Sequence, residues 1–557
     1  MILNNFSIQA RYCSAKKNKL IKISSRNNMD TWQSPGRLHT IQQITQTKQW
    51  DMVVIGGGIT GVGVAREAAR QGLNVLLLEQ KDFAWGTSSR SSKMVHGGLR
   101  YLASGNLKLT SHSVKERERL MNEAPGLVDL MAYSWPHYKG QFPGPKVFAM
   151  LLALYDKFAG QKYRHFVKRE DTLYELPGLS ENGLIGSTRF ADAVTDDSRL
   201  VMRVLNEAHN DGAVSLNYCE VKSMIHENNH VSGVIAKDNV SGEEYTIKAK
   251  LVVSATGAWA DKFRKDMGQE GKIRPLRGSH LMVQSWRLPC AQAITLKHPV
   301  DGRSMFIYPW EGMTVIGTTD LDNPEMTSME PFIQASEVDY LLTAANHLFP
   351  SSKLLKKDIV ASFAGVRPIV SGGALNPSAE KRDHTIWDDQ GLITVSGGKL
   401  TTFRLIALDV LKAASKYLTG LNYKDIGQNI FNAARAGSHY FDLLESQWQR
   451  RLLGFYGQQI DGVCACAEDE GWALVPGTQT FWAQIRFAAR AEAVVKLDDL
   501  LLRRTRIGLC LDEGGVQFEE KIKHICQQEM HWDDSQWQQQ WQDYLSTWQR
   551  YYSLPAS

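Results

Sequence analysis

The sequence predicts an α/β fold with a separate helical C-terminal region, and three observations carry that prediction. Met52–Ile55 is a short β-branched run followed at once by Gly56, Gly58 and Gly61, a small-residue helical stretch and a second apolar run, Val75–Leu78. Strand-like runs and glycine-bordered turns then recur as far as about residue 423. From about 424 to 557 the pattern changes to helical apolar periodicity with little glycine.

The first unit, DMVVIGGGITGVGVAREAARQGLNVLLLE, reads as strand, turn, helix and strand. Its glycines have separate tasks: Gly56 permits a tight turn, Gly58 lets a pyrophosphate approach the backbone, and Gly61 allows close packing of helix on strand. The helix N-terminus supplies oriented amides for phosphate charge. Glu79 closes the second strand, where an acid accepts a hydrogen bond from a ribose hydroxyl. These residues predict an adenine dinucleotide, with NAD and FAD both open at this point.

At 557 residues, 43% hydrophobic and 22% charged, the chain belongs to the ordinary globular class and is long enough for two or three domains. The net charge of +5 is misleading. Residues 1–50 carry eight Lys and Arg against the single acid Asp30, and without them 56 basic residues face 58 acidic ones. Nucleic-acid binding therefore gains no support. Seven cysteines, an odd count in a long chain, favour a reducing compartment. Cys464 and Cys466 form a CxC pair, but the chain offers no CxxC partner pair, and ordinary thiols are the simpler reading than an iron–sulfur site.

Residues 1–49 are polar, basic and short of hydrophobic periodicity, which predicts a disordered extension. An upstream-extended start with Met29 as initiator is favoured over an organellar transit peptide. After the first unit, Trp85–Tyr101 is dense in Ser, Gly and cations, a composition that wraps a diphosphate with backbone amides, while Met94, Val95, Leu99 and Tyr101 anchor it. In Lys139–Arg169 the apolar run Val147–Tyr155 is flanked by Lys139, Lys146, Lys157, Lys162, Arg164, Lys168 and Arg169. Nine apolar residues are too few to cross a bilayer, which needs about twenty. The segment reads either as an interfacial helix on anionic headgroups or as a buried helix with a solvated basic end.

DAVTDDSR at Asp192–Arg199 signals a helix entry before the amphipathic Leu200–His209. Strands are expected near Val214–Tyr218, Val221–Ile225, Val231–Asp238 and Leu251–Ser254. The last runs into Ala255-Thr256-Gly257, a second close approach to the dinucleotide that tilts the choice to flavin. Residues 274–400 supply Arg277, His280, Arg367, Arg382 and Lys399 at strand ends and glycine-bordered turns, which together suggest an anionic small molecule. Gly397 and Gly398 before Lys399 mark another helix N-terminus able to face negative charge or a ring carbonyl. In the C-terminal region, LDDLLLRRTRIG sets leucines beside Arg503, Arg504 and Arg506. Trp537, Trp541, Tyr544, Trp548 and Tyr551 form one helical stripe, read as a core-facing seam rather than a quinone or membrane site.

With these motifs in place, the sequence resembles the FAD-dependent glycerol-3-phosphate dehydrogenases, the quinone-linked respiratory enzymes. The matching segments include VIGGGITGVGVAREAARQGLNVLLLE, TSSRSSKMVHGGLRYL, VTDDSRLV, SATGAWA, RGSHLMV, YPWEGMTVIGTTD, FAGVRPI, RDHTI, SGGKLTTFR and LDDLLLRRTRIG, in the family's order over about residues 51–508. The resemblance implies a glutathione-reductase-like FAD-binding domain with an interleaved mixed-sheet substrate domain over 50–423, and an all-α C-terminal cap over 424–557. No D-x-D-x-D-G calcium loop is present, which favours a bacterial-type enzyme.

The implied activity is oxidation of sn-glycerol 3-phosphate to dihydroxyacetone phosphate, with a soluble oxidase using oxygen as the alternative. Implied FAD contacts are Gly56, Gly58, Gly61, Glu79, Thr87, Ser88, Ser89, Lys93, His96, Gly97, Gly98, Gly257, Gly398, Lys399, Leu400 and Thr401. Substrate residues are Arg100, Tyr101, His280, Arg367, Arg382 and Lys399. Among them His280 is the expected base, its unperturbed pKa of about 6.5 suiting proton transfer near neutrality. Lys399 or Arg100 would stabilise the developing alkoxide, and Arg367 and Arg382 would grip the phosphate. Expected partners are glycerol 3-phosphate, membrane quinone and an anionic membrane surface, with a homo-oligomer left open. The expected location is the cytoplasmic face of the inner membrane, or alternatively the mitochondrial inner membrane.

Overall fold

In the computed structural model, residues 34–103, 105–323, 330–371, 383–425 and 427–555 are described. The β-branched run becomes the strand Trp50–Ile55, and it sits inside a parallel sheet because both of its faces are apolar. Val75–Leu78 pairs with it on one side and Glu244–Ser254 on the other, both in parallel. Val214–Leu216 extends one edge, and the hairpin His384–Asp389/Leu392–Gly397 extends the other. The helix Ile59–Ala69 covers this sheet together with Asp197–Asn210 and Phe403–Ala414.

A second, ten-stranded mixed sheet is interleaved with the first along the chain. Its long members are the antiparallel pairs Val128–Tyr138/Leu184–Thr195 and Ile273–Gln284/Ile359–Val370. From residue 439 onward the described chain is helical, from His439–Asp442 to Asp534–Tyr551.

One local expectation is overturned and another is borne out in a different setting. Residues 1–33 lie outside the described residues, but Ser34–Gln46 forms a helix rather than part of a disordered extension. Sequence periodicity missed it because its attachment is sparse: Ile44 is buried in the core, and Arg37 donates 2.6 Å to Asp238 and 2.9 Å to the Asn217 carbonyl. The expected entry near Leu200 is the helix Asp197–Asn210, capped by the Asp196 side chain on the Arg199 amide at 3.0 Å. Its apolar and polar faces are both covered by the rest of the fold. Residues 197–208 are all buried, with Arg199 paired to Glu492 and Arg203 to Glu207.

The cationic segment holds the helix Pro145–Ala159, with Pro145 in its first turn and Gly160 left-handed at its end (φ +71°). Phe148, Leu152 and Tyr155 face inward. Met150 (75% exposed) and Val147 face outward, and Phe142 (72% exposed), Lys139, Lys146, Lys157 and Lys162 are exposed in the same segment. One face of the helix is thus buried, as the second alternative expects, and the other is exposed. No described helix is long and apolar enough to cross a membrane.

The run at 497–508 turns inward. Asp499–Arg504 is a π-helical turn whose arginines are buried: Arg503 and Arg504 both bind Asp82, and Arg506 binds Asp196 and Asp197. Asp82 lies three residues beyond Glu79, so these ion pairs tie the helical domain to the dinucleotide unit. In the C-terminal stripe, Trp537, Trp541, Tyr544 and Trp548 are core residues. Cys464 and Cys466 are buried thiols on the helix Ile460–Glu470, their pKa values pushed by burial to about 11 and about 12.

Candidate active site

A cavity of about 440 Å³ opens at the C-terminal ends of the parallel strands, lined by residues from the first unit, the Trp85–Ser91 loop, the ATG turn and the Gly397–Leu400 turn. That location follows from topology, since strand ends in an open α/β sheet leave a crevice between the loops.

The geometry tests whether FAD fits. Gly56 adopts φ +111°, and a Cβ there would lie 2.6 Å from the Ala255 carbonyl oxygen. A Cβ on Gly61 would lie 1.9 Å from the Gly56 carbonyl oxygen, so this glycine is required by the helix–turn contact and does not itself line the cavity. Glu79 lines the cavity and accepts bonds from the Gly57 amide at 2.7 Å and the Lys81 amide at 2.8 Å. Burial raises its pKa, partly offset by these amides. The Ser88 hydroxyl accepts the Ile59 amide at 3.0 Å, satisfying one of the helix N-terminal donors. Trp85 and Trp259, ring centroids 5.8 Å apart, wall one side. This cradle suits a dinucleotide with pyrophosphate at the glycine turn and ribose at Glu79.

Of the expected cofactor contacts, Gly56, Gly58, Glu79, Thr87, Ser88, Gly257, Gly398, Lys399 and Leu400 line the cavity. Ser89, Lys93, His96, Gly97, Gly98 and Thr401 do not, and each has another task. Lys93 is fully buried, bound to Asp197 at 2.9 Å and to the Ser89 carbonyl at 3.0 Å, with its pKa pulled by burial to about 8 despite Asp197. The Gly97 amide donates to Asp192 at 3.0 Å. Thr401 donates to the His96 carbonyl at 3.2 Å, cross-linking the two loops behind the cavity. A Cβ on Gly98 would lie 2.3 Å from Tyr101 and 2.8 Å from Lys399 Nζ. Trp85, Trp259, Lys81 and Pro368 were not anticipated as lining residues; Trp85 opens the loop Trp85–Tyr101 and Trp259 stands inside SATGAWA, and their side-chain direction was the missing information.

The described substrate candidates form two groups, His280 with Arg367 on paired strands of the second sheet and Tyr101 with Lys399, and of these four residues only Lys399 lines the cavity. His280 is buried, stacks on Phe363 at 4.5 Å and 11°, and meets the Ser92 hydroxyl through Nε2 at 2.9 Å. Its pKa is lowered well below 6.5 by burial, then by the positive charges of Arg367 and Lys93, which corrects the expectation of an unperturbed ring. Leu276 pairs with Arg367 and His280 with Phe363, so Arg367 and His280 share a face of the paired strands. Arg367 is held by Asp320 at 2.9 Å and Thr318 at 3.3 Å. Lys399 Nζ lies 3.0 Å from the Ser113 hydroxyl and 3.7 Å from the centroid of the Tyr101 ring. Arg100 occupies the short helix Leu99–Ala103, whereas Arg382 lies outside the described residues. Arg277 pairs with Glu337 at 3.0 Å in the sheet interior, a structural role. His384, beside Arg382 in sequence, is raised to about 9: burial opposes its charge, but hydrogen bonds to Asp383 and Asp409 outweigh it.

Fold and cavity together define an FAD-dependent oxidoreductase. A family model for FAD dependent oxidoreductases matches residues 51–407, and one for the C-terminal domain of alpha-glycerophosphate oxidase matches 419–537. The aerobic glycerol-3-phosphate dehydrogenase of Staphylococcus aureus (strain USA300) is 33% identical over 491 residues, covering 84% of this chain and 88% of that protein. The solved glycerol-3-phosphate dehydrogenase of Bacillus halodurans, complexed with FAD, is 29% identical with a TM-score of 0.73, covering 92% of this chain and 97% of that one. The reduced L-alpha-glycerophosphate oxidase of Mycoplasma pneumoniae, with FAD bound, shares the fold at 17% identity and a TM-score of 0.53.

The chain belongs to the FAD-dependent glycerol-3-phosphate dehydrogenase family, and its activity is that of the FAD-dependent glycerol-3-phosphate dehydrogenases and oxidases.

Proposed function

We propose that this protein works from a membrane surface, oxidising sn-glycerol 3-phosphate to dihydroxyacetone phosphate and delivering the electrons to membrane quinone. The observation that carries the acceptor assignment is the outer face of Pro145–Ala159, where Met150 and Val147 are exposed, in a segment that also exposes Phe142 and several lysines. An apolar strip within a cationic rim suits partial insertion between anionic headgroups. The corresponding location is the cytoplasmic face of the inner membrane, with the mitochondrial inner membrane as the alternative.

Bound FAD supplies the hydride acceptor for the middle carbon of the substrate. In this reading Arg367 and Arg382 hold the phosphate dianion through charge-assisted bonds, with Asp320 fixing the guanidinium plane of Arg367. His280 takes the hydroxyl proton. A neutral imidazole always has one unprotonated nitrogen, and burial beside two cations keeps the ring neutral. Lys399 and Arg100 stabilise the developing alkoxide, and Tyr101 borders the substrate beside Lys399.

Anaerobic addition of glycerol 3-phosphate should bleach the flavin, and reoxidation should then require quinone-bearing anionic vesicles that also retain the protein. The second reading, a soluble oxidase, is favoured by the match of residues 419–537 to the C-terminal domain of alpha-glycerophosphate oxidase. A protein that stays off vesicles at low salt and forms one peroxide per substrate would establish that reading instead.

A further inference from the structure

The segment after the last helix is joined through Arg90 to the wall of the flavin cavity. Beyond the helix Asp534–Tyr551, the Tyr552 carbonyl accepts the Ser362 amide at 2.7 Å, and Ser362 Oγ donates to the Ser553 carbonyl at 3.1 Å. This fastening turns the Tyr552 side chain into the core, where its hydroxyl oxygen accepts Arg90 Nε at 3.2 Å and Nη2 at 2.9 Å. Arg90 is itself buried and pairs with Glu330 at 2.6 Å. Its Nη1 donates to the Trp85 carbonyl, and its guanidinium lies 5.1 Å from the centre of the Trp85 ring. Trp85 and the next three residues line the cavity, with the Trp259 ring 5.8 Å from that of Trp85.

We propose that the C-terminal tail is part of the machinery that retains FAD, with Tyr552 a positioning residue acting through Arg90 on the Trp85–Ser88 loop. The tail and Arg90 are separated by 462 residues of sequence, yet one hydroxyl takes two of the guanidinium's donors. Without it, buried N–H groups lose their partner, and the guanidinium relaxes towards Glu330 and away from Trp85. The loop then samples conformations that do not form the cavity wall, and cofactor affinity falls by the fraction of chains so displaced. Linkage makes the effect reciprocal: FAD that binds the ordered loop tightens the tail.

The test is titration of the full-length apoprotein with FAD, comparing wild type, Tyr552→Phe and Trp548→Phe. Trp548 donates to the Gly508 carbonyl at 2.7 Å and holds the same helix without touching Arg90. Tyr552→Phe should raise the FAD Kd about tenfold with a smaller fall in apoprotein Tm than Trp548→Phe shows. Trp548→Phe should lower Tm while leaving Kd near wild type. A wild-type Kd in Tyr552→Phe, or losses of affinity that simply follow Tm in both variants, would overturn the proposal. Hydrogen exchange on the wild-type chain gives a check free of folding defects. FAD should slow exchange at the Tyr552 and Ser553 amides, which donate to the Trp548 carbonyl at 2.8 and 3.0 Å; equal exchange in apo and holo chains overturns it too.

Discussion

His280 and Arg367 show how a motif residue acquires its chemistry from its surroundings. From sequence, His280 is a histidine with an ordinary pKa. In the fold it is buried between Phe363 and the Gly317 backbone, near Arg367 and Lys93, and its protonated form is disfavoured. The base form therefore persists below pH 6.5, and the acid limb of the pH–rate profile for anaerobic flavin reduction should fall below that value. An inflection at or above 6.5 that vanishes in His280→Ala would contradict this. His280→Ala itself should slow single-turnover reduction by about 10²-fold or more, the usual range for loss of a general base. Arg367→Lys keeps the charge but loses the planar fork held by Asp320; its KM for glycerol 3-phosphate should rise about ten- to a hundredfold while FAD stays bound. An unchanged KM would remove Arg367 from phosphate binding.

At the scale of elements, the π-helical turn Asp499–Arg504 is the joint between the helical domain and the dinucleotide unit. Asp82 accepts from Arg503 at 2.6 Å and from Arg504 at 2.7 Å, all three side chains being out of water. Asp82→Asn would take the paired carboxylate from buried Arg504 while Arg503 keeps Asp498 and Asp499, a loss of about 3–5 kcal/mol by the usual cost of breaking a buried pair. Denaturant unfolding should show a correspondingly lower midpoint, and a shift below about 1 kcal/mol would mean that water or another acid replaces Asp82. The same paired charges explain why LDDLLLRRTRIG was legible as a motif but not as a joint. Its arginines look solvated in sequence, and only the fold brings acids from residues 82, 196 and 197 to meet them.

At the scale of the molecule, the exposed face of Pro145–Ala159 is the feature that separates the quinone reading from the oxidase reading. Val147→Glu with Met150→Glu places two negative charges on that face without entering the core, since Phe148, Leu152 and Tyr155 fill the opposite side. The variant should lose sedimentation with anionic vesicles, and wild-type binding should weaken with salt as headgroup attraction is screened. Flavin bleaching by substrate should persist. Unaltered vesicle binding in the double variant would move the membrane contact elsewhere.

The sequence by itself determined the dinucleotide unit, its strand boundaries at Val75–Leu78, the tight turn at Gly56 and the helical character of the C-terminal region, because each depends on local spacing. Glycine at a positive φ, a β-branched run and a 3.6-residue stripe are constraints that a few neighbouring residues impose. Tertiary structure alone decided which cations are structural and which face the site. Arg277 and Lys93 are consumed by Glu337 and Asp197, while Lys399 reaches Tyr101. It also decided that Ser34–Gln46 folds and that Tyr552 meets Arg90. Those outcomes depend on partners tens to hundreds of residues away, and periodicity within one segment carries no trace of them.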